Sequence, residues 1–143
     1  MTVKAILDNK GRAVATIAEN DTTHSAVKTL REKRIGAVVV VRDTDRIAGI
    51  FSERDLVRAL ADHGVACLDN PVSDYMTRKV EVCREDNTVN DVMEIMTRGR
   101  FRHLPVEADG RLAGIVSIGD VVKRRIEDVE REAEQIRNYI ATA

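Results

Sequence analysis

Gly49-Ile50-Phe51-Ser52-Glu53-Arg54-Asp55 and Gly114-Ile115-Val116-Ser117-Ile118-Gly119-Asp120 share the pattern Gly-Ile-x-Ser-x-x-Asp and lie 65 positions apart in a chain of 143 residues. Extending that offset outward aligns Asn20–Arg58 with Glu85–Lys123 without a gap, and 11 of the 39 pairs are identical. Chance at average composition gives roughly two or three. The chain is therefore an internal duplication, and a single pair of units excludes a solenoid. Two halves sharing one core around a pseudo-two-fold axis are the expected arrangement.

Each unit is punctuated alike. Thr22 or Thr23 can cap a helix with the stripe Ala26, Val27, Leu30, and Thr88 precedes the corresponding Val89, Val92, Met93, Met96, with Gly99 placed to stop it. β-Branched stretches follow at Gly36–Val41 and His103–Val106, then the polar turns 42–45 and 107–110, then second strands at Arg46–Phe51 and Arg111–Val116. The continuous run Val38–Val41 predicts a strand buried on both faces. Helices begin at Ser52 and Ser117, and short strands are expected at Ala13–Ile17 and Val80–Val82. The fold class is thus α+β, two β-α-β-β-α repeats plus a C-terminal amphipathic helix. The repeats occupy 1–68 and 69–126, and a helical extension occupies 127–143. Thr2–Leu7 and Pro71–Met76 resemble one another at an offset of 69, Asn9–Gly11 reads as a turn, and Pro71 opens a short helix.

Val122, Ile126, Val129, Ala133, Ile136 and Ile140 form a heptad stripe, with Glu127 and Arg131 as an i,i+4 pair on the exposed side. The stripe either folds back on its own repeat or meets another copy.

Composition narrows the function. With 23 Lys+Arg against 24 Asp+Glu the net charge is −1, which argues against general nucleic-acid coating. Neither a membrane-length apolar run nor a signal-like start is visible, so a cytoplasmic location is expected. Cys67 and Cys83 have no metal-ligand spacing and read as reduced structural thiols, and no metal site is expected. His24 and His63 sit at helix ends and read as surface residues. Neither motif serine has a paired base and no Gly-rich phosphate loop exists, so no catalytic residues and no enzyme activity are expected.

The Gly-Ile-x-Ser-x-x-Asp segments admit two readings. One is a capping box, with the serine and the acid exchanging hydrogen bonds across the first turn of a helix. The other is a ligand site, where a strand ends at a helix N-terminus that offers amides, a hydroxyl and the positive dipole end.

These segments, the Val72-Ser-Asp-Tyr-Met76 opening, Arg34–Val41 and Arg102-His-Leu-Pro-Val106 together resemble a tandem pair of CBS domains, the Bateman module, in its small stand-alone bacterial form. The resemblance covers nearly the whole chain. It implies a non-catalytic sensor that binds an adenosine-containing ligand (AMP, ATP, NAD(H) or S-adenosylmethionine) in clefts between the repeats, regulates an unidentified protein and forms a homodimer. It also implies that Asp55 and Asp120 bind ribose and that Ser52 and Ser117 lie near the ribose or phosphate. Adenine contacts are implied along Thr16–Ala18 with Ile35, Gly36, Ala37 and Val38, and along Val80–Cys83 with Arg100–His103. Arg102 and His103, with Arg54 and Arg100, are expected at the phosphate end, and Gly119 in place of Arg54 makes the two sites unequal. The alternative is a homodimerisation or partner-interaction module with vestigial clefts. Nucleic-acid binding through Arg98, Arg100 and Arg102 is the weakest reading.

Overall fold

The computed structural model describes residues 1–142; Ala143, the last residue of the expected extension, lies outside the described residues. Its elements run α1 (Val3–Lys10), β1 (Thr16–Ala18), α2 (Thr23–Lys33), β2 (Ala37–Arg42), β3 (Arg46–Ser52), α3 (Glu53–His63), α4 (Val89–Gly99), β4 (His103–Ala108), β5 (Arg111–Ser117) and α5 (Ile118–Thr142). Two 3₁₀ turns, Gly64–Asp69 and Val72–Asp74, join α3 to the second repeat. β1 lies parallel to β2, which is antiparallel to β3, while β4 and β5 form a separate hairpin. Val38, Val39 and Val40 are fully buried, as their unbroken apolar run predicts.

The repeats align in space at two offsets, not one. The helix caps Thr22 and Thr88, the left-handed C-caps Arg34 and Arg100, and the bulges after Val40 and Val106 are all 66 residues apart. From the second strand onward the offset returns to 65, because the turn Asp43-Thr-Asp45 is one residue longer than Asp109-Gly110. The gapless alignment is corrected accordingly: Gly36 and Ala37, rather than Ala37 and Val38, are the counterparts of Arg102 and His103.

The strand expected at Val80–Val82 is reduced to a single parallel bridge, Cys83 to Val106. In the first repeat the Val39 amide donates to the Ala15 carbonyl at 3.3 Å. Pro105 occupies the matching position and has no N–H to give, so that rung is missing. Gly99 does not stop α4; Arg100 does, at φ 57°. Gly99 is needed for a different reason, since a Cβ there would fall 2.1 Å from Cε2 of Phe101, whose ring folds over it. The turn expected at Asn9–Gly11 is shortened, because α1 continues to Lys10 and only Gly11 leaves the helix, at φ 100°.

The repeats do not share the one core expected but have a core each, because the leading segments of the two repeats are exchanged between them. Val3, Ile6 and Leu7 of α1 bury in the core of the second repeat with Val92, Leu104 and Val116. Val72 and Met76 bury in the first core with Ile17, Val38 and Phe51. The paired bridges Thr2–Thr88 and Thr22–Pro71 mark the same exchange on the backbone. At the centre each motif glycine faces the other repeat's leading segment, Gly49 against Met76 and Gly114 against Leu7. This reciprocal embrace is the pseudo-two-fold. A further joint between repeats is the Leu112 amide on the Asp45 carbonyl at 2.9 Å, beside the Arg111–Asp45 ion pair.

α5 is a single 25-residue helix that passes residues 126 and 127 without a break. Its Val121 face packs against the body, and every residue from Val129 to Thr142 is exposed. The i,i+4 pair expected between Glu127 and Arg131 is not among the ion pairs; Glu127 instead approaches Arg124, at 3.9 Å, whose guanidinium also faces Asp128 at 3.6 Å. No helix is long and apolar enough to cross a membrane among the described residues.

Candidate functional site

Both Ser-x-x-Asp motifs fold as capping boxes. Ser52 and Ser117 end their strands in extended geometry, and the helix starts at the next residue. The Ser52 amide donates to Asp55 Oδ2 at 2.9 Å and the Asp55 amide donates to Ser52 Oγ at 3.3 Å; the Ser117–Asp120 bonds are 2.9 and 3.2 Å. The capping reading thus holds for both, and its consequences differ between the repeats.

Asp55 is 3% exposed. Its Oδ2 also accepts from Ser52 Oγ at 3.1 Å, while Oδ1 accepts from Thr77 Oγ1 at 3.0 Å and from Arg58 at 3.3 Å. Four donors saturate the carboxylate's lone pairs. The Arg58 bond is the longest of these and comes from an exposed side chain, so it is the one an incoming hydroxyl displaces at least cost. Thr77 is fixed in place by reciprocal backbone bonds with Ile50 at 2.8 and 3.0 Å.

Asp120 meets a different neighbour. Lys10, carried across by the exchanged leading segment, places its ammonium 2.6 Å from Asp120 Oδ2. Burial alone would push this carboxyl up, but the Lys10 ammonium and the Ser117 amide together hold it below the usual carboxylate range. The hollow beside it measures only about 60 Å³.

A cleft of about 410 Å³ opens where α3 of the first repeat faces the α4–β4 junction of the second. Of the residues expected at a ligand site, Gly36, Ala37, Ser52, Arg54, Asp55, Arg100, Arg102 and His103 line it together. Thr16 stands exposed on β1, Ile35 packs against the first core, Val80 is half-buried in the segment after the 3₁₀ turns, Asp120 lines the smaller hollow, and Ser117 caps α5 beside Asp120. None of these five lines the cleft. Arg58, Thr77 and Phe101 do. Phe101 falls within the expected Arg100–His103 run, whereas Arg58 and Thr77 were not anticipated: Arg58 follows Asp55 by one helical turn and could have been found from that spacing, but Thr77 is 22 residues away, with no local signal.

One wall of the cleft carries the α3 N-terminus with its hydroxyl and carboxylate. The other carries the exposed Arg100 and Arg102 with the half-buried His103, whose Cε1 lies 3.6 Å from where a Gly36 Cβ would stand. The left-handed Arg100 ends α4 and turns the chain so that Phe101 and Arg102 point into this space. Arg54, Arg58, Arg100 and Arg102 outnumber Glu53 and Asp55, so the cleft favours an anion.

His103 makes this testable by titration. Burial, with help from Lys10 and Arg102, lowers its pKa below the ordinary 6.5. Between those two values the unfolded chain binds more protons than the folded one, so stability falls as pH drops through that window. Denaturant titrations at pH 7 and pH 5.5 are expected to show a loss at the lower pH that shrinks in His103→Gln. An unchanged pH slope in the variant would remove His103 as its source.

Neither cysteine belongs to the site. Both are buried, and burial pushes the Cys83 thiol up to about 12, which leaves it protonated and unreactive at neutral pH. No cluster of potential metal ligands exists among the described residues.

Comparison with known proteins agrees with this architecture. The chain matches the CBS domain twice, over residues 3–62 and 72–127. The CBS-domain containing protein ATU1752 from Agrobacterium tumefaciens is 52% identical, with a TM-score of 0.84 over 87% of this chain and 99% of that one. The CBS domain pair of protein MJ0100, solved in complex with 5-methylthioadenosine and S-adenosyl-L-methionine, is 27% identical, with a TM-score of 0.76 over 86% of this chain and 98% of that one. The mitochondrial CBS domain-containing protein CBSX3 of Arabidopsis thaliana is 32% identical over 97% of this chain and 71% of its own length. An uncharacterised 17.7 kDa protein of Acidianus ambivalens is 39% identical over 77% of this chain and 66% of its own, so the chain spans about two thirds of these two relatives. The duplicated motif, the exchanged leading segments and these matches converge: the chain belongs to the CBS-domain family and carries two such domains in tandem, as in stand-alone bacterial CBS-domain proteins.

Proposed function

We propose that this CBS pair is a non-catalytic sensor that binds one phosphorylated adenosine ligand, of the AMP, ATP or NAD(H) class, in the cleft between its repeats. The observation that carries the reading is the convergence of Ser52 and Asp55 from one repeat with Arg100, Arg102 and His103 from the other around one cavity of about 410 Å³. That volume lies within the range of small-molecule sites. A ribose hydroxyl takes the place of Arg58 on Asp55 Oδ1, and the phosphate sits among the arginines, where charge-assisted bonds are strongest. The adenosine ligands of the MJ0100 pair support the ligand class. The arginine excess favours a phosphorylated ligand here over the cationic S-adenosylmethionine.

The second site is occupied by the protein itself. Lys10 holds Asp120, and the hollow there is too small for a nucleoside, so one ligand per chain is expected. Because the ligand touches both repeats, it biases their arrangement by its differential affinity for the alternatives, and that bias is the signal to a regulated protein.

A thermal-shift panel of AMP, ADP, ATP, NAD⁺, NADH, 5-methylthioadenosine and S-adenosylmethionine on nucleotide-stripped protein tests the reading. A ligand at a hundred times its Kd adds about 2.7 kcal/mol to the folded state. For a chain of this size that is a rise of several degrees. A shift confined to phosphorylated ligands is the expected result, and no shift from any of them would leave the dimerisation module with vestigial clefts as the better reading.

A further inference from the structure

His103 stands where the two halves of the chain meet. The Arg102 carbonyl just before it accepts the Ile118 amide at 2.8 Å, where α5 begins. Its ring passes Gly36, where a Cβ would stand 3.6 Å from Cε1 and 3.9 Å from Nε2. The Gly36 carbonyl in turn accepts the Glu53 amide at 3.1 Å, where α3 begins. The N-termini of both motif helices therefore converge on one imidazole in the wall of the 410 Å³ cleft.

A helix N-terminus carries about half a positive charge, so this convergence opposes a proton on the ring. The charged side chains around it do not offset that. Lys10 of α1 and Arg102 stand against Glu53 of α3 and Asp120 of α5. In the cleft itself, Arg54, Arg58 and Arg100 add three cations and Asp55 one anion. The half-buried ring makes no hydrogen bond among the described residues. A neutral imidazole with unpaired nitrogens, in a hollow biased towards positive charge, is left for an anion to complete.

We propose that His103 takes up a proton from solvent when the phosphorylated ligand binds, so that the imidazolium donates to the phosphate and affinity rises as pH falls through neutrality. This rests on the ligand reading above and adds a proton to it. The free ring starts neutral at pH 7, because burial holds its pKa below the ordinary 6.5. A bound phosphate cancels the field of the two helix ends and reverses the balance, since a nearby opposite charge favours the charged form and a charge-assisted bond strengthens it. The residue matching His103 in the first repeat is Ala37, so the device exists once per chain.

Titration calorimetry of the full chain with AMP, ATP and NADH at pH 7, in buffers of low and high ionisation enthalpy, counts the protons. Net uptake is expected with each of the three that binds, and its loss in His103→Gln. The wild-type Kd should fall about threefold to tenfold from pH 7.5 to 6.5, tenfold being the limit for one proton. The His103→Gln series subtracts the ligand phosphate's own ionisation, whose second pKa is about 6. Proton NMR of the wild-type imidazoles gives a reading that does not depend on that variant. With ligand the His103 titration should move to higher pH while those of His24 and His63, both exposed and outside the cleft, stay in place. Their lines are assigned by their loss in His24→Gln and His63→Gln. Saturable binding without proton uptake, uptake unchanged in a folded His103→Gln, or a His103 titration that ligand does not move would overturn the proposal and leave the ligand reading standing. No binding by any of the three would overturn both.

Discussion

Asp55→Ala is expected to abolish ligand binding, and Asp120→Ala to leave it intact, although the two remove the same capping box. The stability costs should be comparable in kind: losing an acid that caps a helix costs about 0.5–2 kcal/mol. Each strands its serine amide, and Asp55→Ala costs more because it also strands the half-buried Thr77 hydroxyl, at about 1–3 kcal/mol for a stranded group. Binding is where they part. Asp55 lines the 410 Å³ cleft and Asp120 does not. A fold-safe companion is Arg102→Ala, since Arg102 is exposed and makes no hydrogen bond from its side chain among those described. It should weaken a phosphorylated ligand by about tenfold to a hundredfold, the worth of one charge-assisted bond. Titration calorimetry on the three variants, each checked by thermal melting, decides. Loss of binding in Asp120→Ala with retention in Asp55→Ala would move the site to the second repeat.

Gly49→Ala is expected to be the most damaging single-methyl change in the chain. The added Cβ would fall 2.7 Å from both Met76 Sδ and the Thr77 carbonyl oxygen. Met76 can swing away, but the carbonyl cannot: it accepts the Ile50 amide at 3.0 Å, and Thr77 also holds Asp55. Relieving the contact therefore opens the seam between the exchanged segment and β3. Overpacking of this kind costs about 1–3 kcal/mol, and the backbone obstacle puts it at the upper end, against the roughly 0.4–1 kcal/mol that alanine gains from a stiffer unfolded chain. The melting temperature should drop by roughly 10 °C. Gly114→Ala is the internal control. There the clash is with the two methyls of Leu7 at 2.9 Å, a flexible side-chain end, so the drop should be less than half as large. Equal losses would mean that the two exchanged segments yield equally and that the Thr77 carbonyl is not the obstacle.

Much of the fold was legible because it is written in local chemistry. The Val38–Val41 run, the threonine caps and the Ser-x-x-Asp starts are spelled within a few residues, and the duplication repeats the caps and the Ser-x-x-Asp starts. Pro105 was legible as a residue but not as the reason a strand shrinks to one bridge, because its lost donor matters only opposite a particular carbonyl. The one-residue change of offset hid for a related reason. Matches such as Thr23 with Thr88 and Val41 with Val106 rewarded the gapless alignment, while Thr22 with Thr88, Arg34 with Arg100 and Val40 with Val106 match equally well at 66, and only the caps and bulges themselves decide between the two. The exchange of leading segments was also out of reach, since an amphipathic helix declares that it will be buried and not against which core.

The cleft divided along the same line. Ser52, Asp55 and the Arg100–His103 run announce themselves by type and order, and the structure brings them together. That Lys10 would close the other half follows only from the exchange that carries it there. The inequality of the two halves, expected from Arg54 against Gly119, is therefore larger than those two residues imply.

The most direct test of the central claim is a calorimetric titration of the nucleotide-stripped full chain with AMP, ATP and NADH, carried to saturation. Saturable binding of at least one of them is expected, with a stoichiometry of one per chain, lost in Asp55→Ala and preserved in Asp120→Ala. No binding by any of the three, or two equivalent sites per chain, would contradict it.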